Sequence, residues 1–177
     1  MKTDDIERNV GSVGSAIGRS LLAGIAGTVA ITIAQMIEMK LSGREPSNAP
    51  AEVGGKVLGV EPRGGEKEEQ DKKQGNEENS VKEQNEEKFG QLMHWGYGTG
   101  WGVCRGLLSL AGIKGPAATA IHFGAIWGTE LVMVPAMTES PPASKWGAKA
   151  LAKDALLHLT YALAAGAVFD AIDNGRD

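Results

Sequence analysis

The chain has 177 residues and a formal net charge of −4, with 22 acidic and 18 basic residues. Its length favours a single domain, and its acidic balance excludes a basic surface for nucleic acid. The single cysteine, Cys104, excludes an intramolecular disulfide bond. The charges are unevenly distributed, because residues 61–90 are densely charged while three other stretches carry almost no charge.

The first apolar segment, SLLAGIAGTVAITIAQMI, runs from Ser20 to Ile37 without a formal charge. A helix needs about 20 mostly apolar residues to cross a bilayer, and this segment is long enough with its flanks. A buried helix of a soluble protein and a signal peptide are the alternatives. The following QMIEMKLSG offers no good cleavage site, however. We therefore predict a retained membrane helix over residues 18–39.

A polar stretch separates this helix from the next apolar segment. Its first part is rich in proline and glycine, which predicts irregular chain with one short helical turn around residues 53–58. Residues 66–88 contain nine acids, five lysines and one aliphatic residue, too little apolar surface to offset the entropy lost on ordering. We predict an acidic flexible loop over residues 61–90, largely disordered. It either serves only as a linker or binds a basic protein partner.

The stretch HWGYGTGWGVCRG, residues 94–106, contains five glycines. Their spacing matches no G-x-G-x-x-G dinucleotide loop, and no second alternating run could pair with a strand here. Three of the glycines recur every four residues, namely Gly98, Gly102 and Gly106. Small residues at this spacing allow membrane helices to approach closely. We predict a second membrane helix over residues 91–110, packed against the face of the first helix that carries Ala23 and Gly27.

Two more apolar segments predict membrane helices over residues 116–136 and 151–172. The uncharged core of the last one, residues 155–169, is short for a span unless its flanking charges lie at the interfaces. The tight connection GIKG makes the second and third helices antiparallel neighbours. The predicted fold is thus all-α, a four-helix transmembrane bundle forming one integral membrane domain over residues 1–177, with the charged loop between helices one and two.

One pattern near the end of the chain resembles a known family. The motif PAMTESPP, followed by a tryptophan and DALLH, looks like that of the YagU-like family of uncharacterised bacterial inner-membrane proteins. The matching positions are Pro135, Pro141, Pro142, Trp146, Asp154 and His158. The likeness lies mainly in residues 92–172. It implies a small multi-pass protein of the bacterial inner membrane and no established reaction.

Ionisable residues inside the apolar segments are the candidate functional residues, because such groups are costly in lipid. If the four helices alternate in direction, counting 1.5 Å per residue places five polar residues at one level near the loop-side interface. This expected intramembrane polar cluster consists of Glu130, His158, His94, Asp154 and Gln35. A second polar level on the opposite side consists of Arg105, His122 and Asp170. Glu130 is the residue hardest to expose to water, and either His94 or His158 is its expected partner.

These residues leave two functions open. The first is a structural or stress-related integral membrane protein with a polar intramembrane clasp, and its main partner is the lipid bilayer. The second is a proton-linked transporter or channel-like permeation element, which would favour a homo-oligomer because four helices enclose little space. Three histidines and a glutamate on separate helices can bind a metal, but no short-range ligand pair supports such a site, so we expect neither metal nor cofactor. No base is placed to activate Cys104, so we expect no enzyme.

Overall fold

The structure is a computed structural model that describes residues 3–60 and 77–174, and the side chains of residues 14–60 and 84–173 within these ranges. All regular elements in these ranges are helical, which confirms the predicted all-α class. They are α1 (Thr3–Ser42), α2 (Ala49–Leu58), α3 (Glu77–Leu110), α4 (Gly115–Met137) and α5 (Ala148–Asn174), with a 3₁₀ turn at Ala143–Lys145.

Three of the described helices are long and apolar enough to cross a membrane, which indicates a membrane protein. These segments are Gly14–Ser42 of α1, Gly115–Met137 of α4 and Ala148–Asp173 of α5. The predicted fourth span, residues 91–110, lies within α3 and is not among them. Its glycines, together with His94 and Arg105, make this part of α3 less apolar than the other three helices.

The acidic segment differs from the expectation in its second half. Residues 61–76 lie outside the described residues, but residues 77–90 belong to α3 rather than to a loop. Glutamate, glutamine and lysine are good helix formers, so this segment can extend the apolar helix that follows it. The short turn predicted around residues 53–58 is the longer helix α2, which has a proline in its first turn and ends at Gly59 in the left-handed conformation.

The four long helices form a bundle in which neighbours run antiparallel. α1 packs against both α3 and α5, and α4 packs against α5 and, less extensively, α3. Thr32 of α1 meets His94 of α3 near one end of the bundle, and Ser20 meets Gly106 near the other. The tight connection at residues 111–114 joins α3 to α4 as antiparallel neighbours, as its length predicts.

The packed core is small and lies along α5. It consists of Ala23, Ile31, Ile126, Tyr161, Ala165 and Phe169, with Trp101 and Leu157 packed against it. Large apolar side chains of α1 point away from this core and are exposed, among them Leu22, Ile25, Val29 and Ile33. Lipid tails are as apolar as these side chains, so a bilayer would cover them without cost.

Three glycines of α3, Gly98, Gly102 and Gly106, lie against α1, but on a different face from the one expected. A Cβ on Gly102 would overlap the carbonyl oxygen of Ser20, and one on Gly98 would overlap the side chain of Thr28. The contacting face of α1 therefore carries Ser20, Gly24 and Thr28. Gly27 instead faces α5, where an added Cβ would lie 2.7 Å from Cε2 of Tyr161. α1 thus uses two small-residue faces, one for each neighbour.

The short helix α2 covers one end of the bundle by packing on α3 and α4. Gly54 lies so close to Met93 that an added Cβ would be 2.8 Å from its Cε atom. Beneath α2 is a cavity, so we call this the cavity end. The opposite end, where Arg19, Arg105 and Lys114 lie, is called the arginine end.

Candidate functional site

A cavity of about 190 Å³ lies between the four long helices at the cavity end and is covered by α2. Most of its lining is apolar or aromatic, including Met93, Trp101 and Ile126. The polar side chains in its wall include Gln35 of α1, His94 of α3, Glu130 of α4 and His158 of α5. Four of the five residues expected in the intramembrane polar cluster therefore border one space.

Glu130 and His158 are in direct contact across α4 and α5, through the carboxylate Oε2 and the ring Nε2. The other ring nitrogen, Nδ1, lies 2.9 Å from the carbonyl oxygen of Asp154. A carbonyl oxygen only accepts hydrogen bonds, so Nδ1 carries a proton. One further proton must lie between Nε2 and the carboxylate, giving either an imidazolium–carboxylate pair or a neutral acid–imidazole pair.

Asp154 forms a second polar link between the same two helices. Its Oδ2 atom accepts a hydrogen bond of 2.9 Å from Nε1 of Trp127, and its Oδ1 atom lies 3.7 Å from Nδ1 of His158. Glu130, Asp154 and His158 each place one potential ligand atom within 4.8 Å of the others. We refer to these three residues as the acid–histidine cluster.

Gln35 and His94 border the same cavity at a different place in its wall. Nε2 of His94 lies 2.9 Å from the hydroxyl of Thr32, which joins α3 to α1. The structure thus places His158, rather than His94, against Glu130. The five residues expected at one level divide into the acid–histidine cluster between α4 and α5 and a separate pair on α1 and α3.

The acid–histidine cluster has an unusual charge composition. Two nearby cations bind another acid, because Lys153, next to Asp154 in sequence, and Arg44 both contact Glu38, at 2.6 and 3.1 Å. In the part of the chain that the structure describes, neither Glu130 nor Asp154 forms an ion pair with lysine or arginine. Two carboxylates therefore share a single imidazole in a largely apolar setting.

The residues of the second polar level do not form one group. Arg105 is fully buried, forms an ion pair with Asp170 and lies over the ring of Phe169, 4.9 Å from its centroid. Nε2 of His122 instead lies 2.9 Å from the carbonyl oxygen of Trp101. His122 therefore joins α4 to α3 in the middle of the bundle, while Arg105 joins α3 to α5 at its arginine end.

Two contributors to the site were not predicted from the sequence. Nε1 of Trp127 donates a hydrogen bond to Asp154, and the hydroxyl of Tyr161 donates a hydrogen bond of 2.6 Å to the carbonyl oxygen of Gly98. Helical spacing carried a signal for both, because each lies three residues from a cluster residue and so shares its face. Tryptophan and tyrosine are common in membrane helices, however, so this signal is weak.

The residues of the family-like pattern meet near the cavity end. Pro135 lies in the last turn of α4, and Nε1 of Trp146 donates a hydrogen bond of 2.7 Å to the carbonyl oxygen of Pro141. Asp154 and His158 belong to the acid–histidine cluster. Comparison of the chain with protein-family models, with curated proteins and with solved structures gave no match.

Proposed function

We propose that the chain is a four-helix integral membrane protein in which the acid–histidine cluster and Trp127 form a polar clasp that fastens α4 to α5. The observation that carries this proposal is the pair of polar links between these helices, Glu130 with His158 and Trp127 with Asp154. They lie about one turn apart on α4. The role of the polar clasp is structural, and the main partner of the protein is the lipid bilayer.

The low burial of α4 explains why such a clasp would matter. Only three residues of this helix are buried, namely Ala118, His122 and Ile126. In lipid, apolar contact between helices adds little, since the tails compete for the same surfaces, and association depends on close packing and interhelical hydrogen bonds. The polar links to α5, with the His122 contact to α3, would therefore supply much of the attachment of α4.

The four-span topology is part of the proposal. Residues 91–110 of α3 lie alongside α1 from the Thr32–His94 contact to the Ser20–Gly106 contact, and α1 is one of the three apolar spans. A helix packed antiparallel along a membrane span would cross the membrane with it. The resemblance to the YagU-like family supports a location in the bacterial inner membrane.

A double-mutant cycle in detergent tests the polar clasp. Glu130→Gln and His158→Gln should each lower the free energy of unfolding by about 1–2 kcal/mol, and the double variant should lose less than the sum. Unfolding by dodecyl sulfate, followed by tryptophan fluorescence, measures these values. The matched control pairs Glu130→Gln with His94→Gln, whose effects should add. Additive effects of Glu130→Gln and His158→Gln would contradict the clasp.

The cavity supports a second candidate function, proton-linked permeation by a homo-oligomer. Glu130 and His158 border this space, together with His94 and Tyr97 from α3 and Gln35 from α1. A proton held between Glu130 and His158 could then exchange with groups across the cavity. Proteoliposomes with an imposed pH gradient test this function. A flux that disappears in Glu130→Gln while stability is unchanged would favour permeation over the clasp, and absence of flux in the parent protein would exclude it.

A further inference from the structure

We propose, on the basis of the same cluster that forms the polar clasp, that Glu130, Asp154 and His158 bind a divalent first-row transition-metal ion at the wall of the cavity. The side chains come from two helices, with Asp154 and His158 one turn apart on α5 and Glu130 facing them from α4. One nitrogen and two carboxylate groups form a ligand set of the kind that metal-binding proteins use.

The separation of the three side chains fits a shared ion. One carboxylate oxygen of Glu130, one of Asp154 and one ring nitrogen of His158 all lie within 4.8 Å of one another. Carboxylate oxygens and imidazole nitrogens bind zinc at about 2.0–2.2 Å, so two ligands of one ion lie about 3–4 Å apart. Small side-chain rotations, without helix movement, would bring the three ligands to this spacing.

Neighbouring groups hold the ligands in the orientation that such a site needs. Nδ1 of His158 is bound to the carbonyl oxygen of Asp154, which directs Nε2 toward Glu130. Metal-binding histidines are commonly fixed in this way by a hydrogen bond from the other ring nitrogen. Trp127 donates to Oδ2 of Asp154, which leaves Oδ1 on the side of His158.

The charge of the cluster also favours a divalent cation. Two carboxylates with a neutral imidazole carry two negative charges, and the nearby Lys153 and Arg44 are bound to Glu38. Charge that is partly shielded from water and lacks a partner is costly. A divalent ion would neutralise the cluster completely. On binding, the proton held between Glu130 and His158 would leave to solvent, so that Nε2 and the carboxylate could both coordinate the ion.

The donor atoms narrow the class of ion. Magnesium and calcium prefer sites made of oxygen atoms alone, whereas a mixed imidazole and carboxylate set suits manganese, iron, cobalt and zinc. Three protein ligands leave coordination positions open, as in zinc sites that retain a water. These positions would face the cavity, because Glu130 and His158 both line it.

The parent protein provides the first test. The full chain, free of any histidine tag and treated with EDTA, is purified in detergent and titrated with Mn²⁺ under electron paramagnetic resonance. We expect one saturable site per chain. Thermal unfolding followed by tryptophan fluorescence should show a rise in Tm of about 5 °C or more at 100-fold excess of Mn²⁺ or Zn²⁺ over Kd, and no rise with equal Mg²⁺. Absence of saturable Mn²⁺ binding together with absence of a rise in Tm with Zn²⁺ would overturn the proposal.

Conservative variants locate the site. Asp154→Asn keeps an oxygen that can accept the Trp127 hydrogen bond but removes the charge, and it should weaken Mn²⁺ binding at least tenfold. Glu139→Gln is the matched control, since it removes an exposed carboxylate just beyond the same end of α4 and should leave the affinity unchanged. Equal affinities for the parent protein and Asp154→Asn, or an equal loss in Glu139→Gln, would count against this site.

The same variants separate a failure of this site from a failure of the polar clasp. Coupling between Glu130→Gln and His158→Gln that is measured in EDTA belongs to the clasp alone. If this coupling is present and the parent binds no metal, the clasp stands and the metal site is excluded. If the parent binds Mn²⁺ and the coupling is absent in EDTA, the metal site stands and the clasp without metal is excluded.

Discussion

The two ends of the bundle differ in the groups that pair with their carboxylates. At the arginine end, Asp170 pairs with Arg105, and Asp173 lies within 3.4 Å of Arg19 and 3.6 Å of Lys114. At the cavity end, by contrast, Glu130 and Asp154 share one histidine. The first arrangement completes its ion pairs with groups of the chain itself. The second arrangement leaves two carboxylates without a lysine or arginine partner among the described residues, and the proposed clasp and metal site lie there.

The packing of α3 against α1 also differs between the two ends of the bundle. Toward the arginine end, Gly102 and Gly106 allow α3 to lie directly on the backbone and side chain of Ser20. Toward the cavity end, α3 carries the large side chains Met93, His94 and Tyr97, which form part of the cavity wall. Glycine thus closes one end of the interface, and bulky side chains line a space at the other.

The largest expected effect is the loss of the buried arginine. Arg105→Met should lower the free energy of unfolding by about 3 kcal/mol, because the change leaves Asp170 without its partner in a partly buried position. Asp170→Asn added to Arg105→Met should recover most of this loss. Unfolding by dodecyl sulfate, followed by tryptophan fluorescence, measures both. If Arg105→Met is as stable as the parent, the arginine end is not held by this ion pair and the contrast between the ends fails.

A smaller effect is expected where glycine closes the interface. Gly102→Leu should destabilise the protein by about 2 kcal/mol through overpacking, because even a Cβ there would overlap Ser20. Gly100→Leu is the matched control, since an added Cβ at Gly100 meets nothing within 4 Å. Thermal unfolding in detergent distinguishes the two. Equal melting temperatures for both variants would show that α3 does not approach α1 closely at this end.

The smallest expected effect tests the hydrogen bond between Trp127 and Asp154 at the cavity end. Trp127→Phe removes the hydrogen bond to Asp154 and should cost about 1 kcal/mol, while the new ring can keep the stacking on Phe123 at 5.5 Å. Trp146→Phe serves as the control, because it removes an exposed tryptophan hydrogen bond outside the acid–histidine cluster. Chemical unfolding measures both changes. If Trp127→Phe is as stable as the parent protein, the link to Asp154 contributes little to the clasp.

Depth counting along the helices located the polar residues well but could not pair them. The sequence placed Glu130, His94 and His158 at one level, and all three border the cavity. Which histidine contacts Glu130 depends on how each helix is rotated about its axis, and small rotations of a membrane helix change its neighbours without changing depth. For the same reason, the sequence predicted the wrong face of α1 as the one that contacts Gly98 and Gly102 of α3.

The proposed metal site could be predicted from the sequence only in part. Asp154 and His158 are four residues apart, so their position on one face of α5 could be read from the sequence. Such a pair is common in helices and is a weak signal without a third ligand. Only the packing of α4 on α5 brings Glu130 to this pair, and only the hydrogen bond to a backbone carbonyl directs the imidazole toward it.

The sequence by itself determined the all-helical class, three of the four predicted apolar spans and the positions of the polar residues along the helices, because these depend on local hydropathy and on the 1.5 Å rise per residue. It did not determine that residues 77–90 extend α3, since a charged stretch is compatible with either helix or loop. Tertiary structure alone decided which faces meet, where the cavity lies and which carboxylates have no lysine or arginine partner among the described residues. These features depend on contacts between helices distant in sequence, whose rotation and spacing are set by all neighbours together.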